Sequence, residues 1–111
     1  MACNLTEDLT GAFDMVGPKG STSTLFVEND AGTAVIETAR FNNADVPPDA
    51  NHKVTITEKA QAGINFLDIT VNGVQDTDRV RLKEDCGDSN SRLLKTFQGS
   101  EPAQRFQINA T

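Results

Sequence analysis

The chain predicts an all-β fold, a single-domain antiparallel β-sandwich of about seven strands, on three observations. Apolar and polar residues alternate with period two through most of the sequence, and β-branched residues concentrate in those runs. Glycine, proline, asparagine and aspartate clusters punctuate the runs at short intervals. About seven strands at this spacing suit either a two-sheet sandwich of immunoglobulin-like architecture or a small barrel. The Cys–Trp–Cys core of true immunoglobulin domains is missing, because the chain has no tryptophan. At 111 residues with 37% apolar content, the length is that of one domain with a modest core.

Residues 1–20 read as an N-terminal arm or a short helix, and residues 21–111 as the sandwich. Thr6, Glu7 and Asp8 stand before Leu9, Ala12, Phe13 and Val16, a helix start followed by apolar residues at helical spacing. Gly11 weakens that helix, and Gly17 with Pro18 ends it. The glycines around Lys19 do not make a phosphate cradle, since the spacing is wrong and Pro18 removes a backbone donor.

The strands then follow in order. Residues 22–28 come first, with Leu25 and Val27 on one parity, and Asn29 to Gly32 has the composition of a hairpin loop. Residues 33–41 form the next strand. Residues 42–52 make a long polar loop stiffened by Pro47 and Pro48, which a central strand would not tolerate. In 53–58, Val54 and Ile56 face inward, and Lys59 to Ala62 connect to the densest apolar run, 63–73. There Ile64 and Phe66 share one parity while Leu67, Ile69 and Val71 share the other. This central strand therefore needs either a bulge at Phe66–Leu67 or cover on both faces. In 78–84, Val80 and Leu82 face in while Arg79, Arg81 and Lys83 face out. Residues 92–97 and 104–108 complete the set, the last with Phe106 and Ile108 inward.

The two cysteines, Cys3 and Cys86, support three readings. A disulfide would close a loop of about 80 residues and stabilise the fold by about 4 to 4.5 kcal/mol on a chain-entropy model. Cys86 in a polar turn favours this reading, because inert thiols are usually buried. The other two are a pair of free thiols in a reducing cytoplasm and a lipidated Cys3. For the last, Cys3–Asn4 at the start of the chain resembles the mature end of a bacterial lipoprotein, which would place the domain on a membrane. The first fifteen residues lack the apolar core of a signal peptide, and Met1–Ala2 is either a natural start or an added one. No run reaches the length of a membrane span.

A formal charge of −6 argues against nucleic acid, whose binding depends on cations that neutralise phosphate. Chemistry is sparsely provided for. His52 is the single histidine and sits in the polar loop without an indicated partner, where a solvated side chain is the plainer reading. One histidine and two distant cysteines do not space as a zinc site. Asp76 with Asp78, and Asp85 with Asp88, lack the spacing of a calcium loop and lie about 20 Å apart along an extended strand. No catalytic residue, metal or cofactor is expected.

The function expected is therefore a non-enzymatic interaction module, secreted or on a cell surface, whose rigid sandwich presents loops to another protein. Its candidate contacts are Asp45, Asp49 and His52 on the long loop, and the outward row Arg79, Arg81 and Lys83. With Arg92 and Lys95 on the next strand, that row would form a basic strip. The plainer reading is a solvated strand face in which Glu84 pairs across the hairpin with Arg92. Two alternatives use the same scaffold: a structural subunit that assembles through edge strands, and a small inhibitor or effector that inserts a loop.

Overall fold

A computed structural model describes residues 3–57 and 63–111. Among these residues all regular structure is strand, ten strands in two sheets packed face to face, which selects the sandwich over the barrel. The Cα radius of gyration, 12.9 Å, matches the roughly 13 Å of one folded domain of this length.

The strands are β1 (Thr6–Glu7), β2 (Asp14–Gly17), β3 (Thr22–Glu28), β4 (Val35–Phe41), β5 (Ala44–Asp45), β6 (Val54–Thr57), β7 (Gly63–Asn72), β8 (Arg79–Gly87), β9 (Asn90–Gln98) and β10 (Ala103–Ala110). Sheet A has the order β1-β2-β10-β7-β4-β5 and sheet B the order β6-β3-β8-β9. Pairing is antiparallel except between β2 and β10, which run parallel. Met1–Ala2 and the connection expected at Lys59–Ala62, with the Glu58 end of the strand before it, lie outside the described residues.

Three strands go beyond the seven expected from the pattern. The N-terminal segment forms no helix; it supplies β1 and β2, and β2 extends sheet A beyond β10. Helical spacing loses here because Leu5 and Met15, both fully buried, anchor an extended chain to the sandwich. The third is β5. Asn42 and Asn43 both have positive φ, 51° and 68°, which is the signature of a two-residue type I′ turn folding β5 back on β4. The start of the long polar loop is thus a hairpin.

Asn29 to Gly32 does the reverse. It is not a hairpin loop, since β3 belongs to sheet B and β4 to sheet A. The Asn29 side chain organises this crossing. Its Oδ1 accepts the N–H of Thr33 at 2.9 Å and of Ala34 at 3.0 Å, and its Nδ2 donates to Asp78 at 2.9 Å.

The core fills the space between the sheets with the inward residues of the alternating strands, among them Leu25, Val54, Ile56, Leu67, Val80 and Leu82. Phe106 is fully buried and meets Phe13 and Phe97 edge-on, at centroid distances of 5.8 and 6.0 Å.

The central strand resolves its parity fault in neither expected way. β7 runs without a bulge, its inward row is Asn65, Leu67, Ile69 and Val71, and Ile64 and Phe66 face solvent. Asn65 tolerates full burial because its Oδ1 accepts from Asn42 Nδ2 at 2.9 Å and its own amide donates to the Ile108 carbonyl. The bulges sit elsewhere: Glu37 is the extra residue of β4, and Leu94 that of β9. The second turns two successive residues, Leu94 and Lys95, into the interior.

Cys3 and Cys86 form a disulfide, with Cα atoms 4.7 Å apart. Cys86 is the extra residue of a further irregularity near the end of β8, between Asp85 and Gly87. The bridge is compatible with an oxidising compartment.

Candidate functional site

The long polar loop 42–52 and the outer face of sheet A meet at Arg40. On the loop side, β5 covers only the end of β4, and Val46 N–H reaches the Ala39 carbonyl at 2.9 Å before the chain leaves through Pro47 and Pro48. A groove of about 490 Å3 is left between Glu37, Thr38, Ala39 and Arg40 on one wall and Asp45, Pro47 and Pro48 on the other. On the face side, Arg40 stands opposite Asp68 of β7, and Asp68 stands opposite Arg105 of β10.

Arg105 grips Asp68 with both arms of its guanidinium, Nε at 2.7 Å and Nη2 at 3.1 Å, and its Cζ lies 4.9 Å from the Phe66 ring centroid. Arg40 pairs with Asp45 at 3.4 Å and donates to the Asn43 carbonyl. Beside them Phe66 is 38% and Ile64 54% exposed, neighbours on one strand face. An aromatic ring, an aliphatic side chain and two geometrically fixed guanidinium groups thus share one rigid surface. That is the composition of a protein-contact patch, in which aromatic residues and arginine predominate.

The six contacts chosen from sequence fall in two places. Asp45 is on β5, beside the groove, with its Arg40 pair. Asp49 builds the loop: its Oδ1 accepts the N–H of Asn51 at 2.8 Å and of Lys53 at 3.0 Å. Those two backbone donors, Lys53 first, hold its carboxyl below the usual carboxylate range. His52 is exposed at φ 60° and donates its N–H to the Asp49 carbonyl. Arg79, Arg81 and Lys83 lie on the other sheet, on the outer face of β8.

The basic row is largely neutralised where it stands. Arg81 pairs with Glu28 at 3.4 Å and Asp30 at 3.0 Å, and Lys83 Nζ is 2.6 Å from Glu28. The Lys83 hydrogen bond, ahead of Arg81, holds the Glu28 carboxyl below the ordinary range. Arg92 and Lys95 do not extend the row. Arg92 donates to the Leu5 carbonyl at 2.8 Å, and Lys95 is buried on the other side of its sheet. Arg92 does not pair with Glu84 either, although the two are register partners. At the head of the row, Arg79 lines a smaller cleft with Phe13 and Phe97.

Ile64, Phe66, Arg105 and Arg40 were not among the contacts chosen from sequence. The one signal on this strand is the parity fault in 63–73, from which a bulge or cover on both faces is expected rather than an apolar pair left facing solvent. Comparison with protein-family models, with curated proteins and with solved structures finds no match to this chain.

Proposed function

We infer that the protein is a non-enzymatic interaction module, secreted or displayed at a cell surface, that contacts another protein through the outer face of sheet A. The observation that carries this reading is the exposure of Ile64 and Phe66 side by side on the central strand, with Arg105 stacked on the ring. What sets this pair apart from the other exposed large apolar residues, Leu9 and Leu93, is that the two side chains adjoin on one strand face with arginine stacked beside them, a combination favoured at protein contacts. The disulfide supports the extracellular setting, since such bridges persist in oxidising compartments. Assembly through open sheet edges is less well supported. Both outer strands of sheet A are two residues long, and Glu37 bulges the strand behind one of them; in sheet B the outer strands are the four-residue β6 and the longer β9, which the extra residue Leu94 bulges.

The reading is tested by placing a photo-crosslinking residue at position 64 and, separately, at position 55 on sheet B, in protein exported by its native host. An adduct to one discrete protein from position 64 alone, abolished by Phe66→Ala, is the expected result. Adducts that do not depend on position, or that survive Phe66→Ala, would remove the basis for this face.

A further inference from the structure

Two charged side chains of sheet B are buried with no ionic partner from sheet B itself. Glu84 is 1% exposed and Lys95 4% exposed. Among the described residues, every side-chain partner of both lies in residues 4–11. The Glu84 carboxylate accepts the backbone N–H of Asn4 at 2.9 Å and of Leu5 at 2.8 Å. Lys95 Nζ donates to the carbonyls of Asp8 at 3.2 Å and Gly11 at 2.9 Å, and pairs with the Glu7 carboxylate at 3.2 Å. Arg92 adds the Leu5 carbonyl. One acceptor and two donors thus read the main chain just before β1 and in the turn that leads from it to β2, while the Leu5 and Met15 side chains are fully enclosed.

We propose that this slot is an exchange site for the β1–β2 segment, and that its second occupant, besides the chain's own N-terminal segment, is the same segment of another copy. It is a surface separate from the outer face of sheet A. The choice of occupant follows from fit. Glu84 and Arg92 take backbone groups of Asn4 and Leu5, Lys95 takes two carbonyls that the turn after β1 brings together, and this sequence also carries Leu5 and Met15 to their enclosed positions and Cys3 to Cys86. The connection to the body is short and turn-forming: Pro18 to Ser21 separate β2 from β3, and Gly20 has φ 77°. Straightening such a hinge exports the segment intact, which is how identical elements are exchanged between protomers.

The disulfide is the latch. A small dithiol opens it by attacking one sulfur, which releases the other as a thiolate; its second thiol then displaces the protein sulfur. Two electrons and two protons leave the reductant, which becomes a disulfide, and Cys3 and Cys86 become thiols. A small disulfide such as oxidised glutathione runs the sequence backwards, closing the bridge within one chain or between two.

The test uses the full chain, unlabelled and nitrogen-15-labelled, mixed at several hundred micromolar. The mixture is reduced with dithiothreitol in native buffer, reoxidised with glutathione disulfide, and mapped by mass spectrometry of the linked peptides. In the dimer fraction about half of the Cys3–Cys86 links are expected to join a light and a heavy chain, as random pairing of exchanged segments requires, and a never-reduced mixture gives none. Isotopically pure links after reoxidation would overturn the proposal. So would Cys3–Cys3 and Cys86–Cys86 links in equal abundance, the mark of random oxidation. Hydrogen exchange on the reduced chain supplies the second reading. Residues 4–16 are expected to lose protection while Leu67 to Val71 keep it, and joint loss would show that the segment does not detach as a unit.

Discussion

The Glu84 carboxylate accepts the backbone N–H of Leu5 at 2.8 Å, across 79 residues of sequence. A glutamate on β8 thereby does for the N-terminal segment what a neighbouring strand would do, and it does so inside the protein. Removing it leaves the buried N–H of Leu5 and the part-buried N–H of Asn4 without a partner, at about 1 to 3 kcal/mol for a buried group left unpaired. Glu84→Ala is therefore expected to lower stability by about 2 to 4 kcal/mol and to speed exchange of the Asn4 and Leu5 amides. Glu84→Gln keeps one acceptor and is expected to fall between the two. Denaturant midpoints with residue-level hydrogen exchange check this, and an unchanged Leu5 amide in Glu84→Ala would contradict it.

The bridge acts at the same place. Cys3 and Cys86 are separated by 83 residues, and a loop of that length corresponds to about 4.5 kcal/mol on the chain-entropy model. Cys3→Ser with Cys86→Ser is expected to lose up to that amount, mainly by enlarging the unfolded ensemble. Equilibrium unfolding in urea, with and without a reductant, measures it. A reduced wild-type chain as stable as the oxidised one would contradict the clasp.

Phe106 and Phe66 are opposite cases of the same residue. Phe106 is fully buried between Phe13 and Phe97, so Phe106→Ala leaves a cavity and is expected to cost about 3 to 5 kcal/mol. Phe66 faces solvent, so Phe66→Ala is expected to cost under about 1 kcal/mol. Thermal unfolding of the two variants, side by side, decides the placement of both rings.

Acid should weaken the fold. Lys53 hydrogen-bonded at 2.9 Å, and then the Gly87 N–H, hold Asp85 below its ordinary range. The Gln75 N–H and Asn29 do the same for Asp78, and Glu28 and Asp49 are lowered as well. Each folded-state pKa lies beneath the unfolded one, so between the two the unfolded chain binds more protons. Stability from these groups is complete above the unfolded carboxylate range, about pH 4, and is lost as pH falls through the lowered folded values. Denaturant midpoints should hold from pH 7 to about 5 and then decline. Asp78→Asn should flatten part of the decline, and a midpoint that rises on acidification would contradict the assignment.

How far the sequence discloses this molecule depends on the range of the interaction concerned. Strands such as β3, β6 and β8 are legible because alternation with period two is a local signal, and Leu25, Val54, Ile56, Val80 and Leu82 face inward as that pattern predicts. β2 is not legible, because Asp14 to Gly17 pair mainly with β10, in parallel, at the far end of the chain, and β1 beside them is only two residues long. Hydropathy alone assigns Ile64 and Phe66 to the core ahead of Asn65. The structure reverses that choice because Asn42 and the Ile108 carbonyl satisfy the Asn65 amide. Glu84 and Lys95 look like surface charges for the same reason. Nothing near them in sequence reveals that residues 4–11 will cover them, or that a bulge at Leu94 turns Lys95 inward. The proposed contact face lies on the strand that carries the parity fault, but its arginines come from β4 and β10, strands that the sequence does not place beside it.

The measurement closest to the proposed role is made on the double variant Ile64→Ser, Phe66→Ser. Its thermal midpoint is expected within a few degrees of wild type, since both side chains already face water. The crosslink from a photo-reactive residue at position 107, the register partner of Phe66 on β10, is expected to disappear. A variant that keeps that crosslink, or that unfolds like a core mutant, would show that these two residues are not the contact surface.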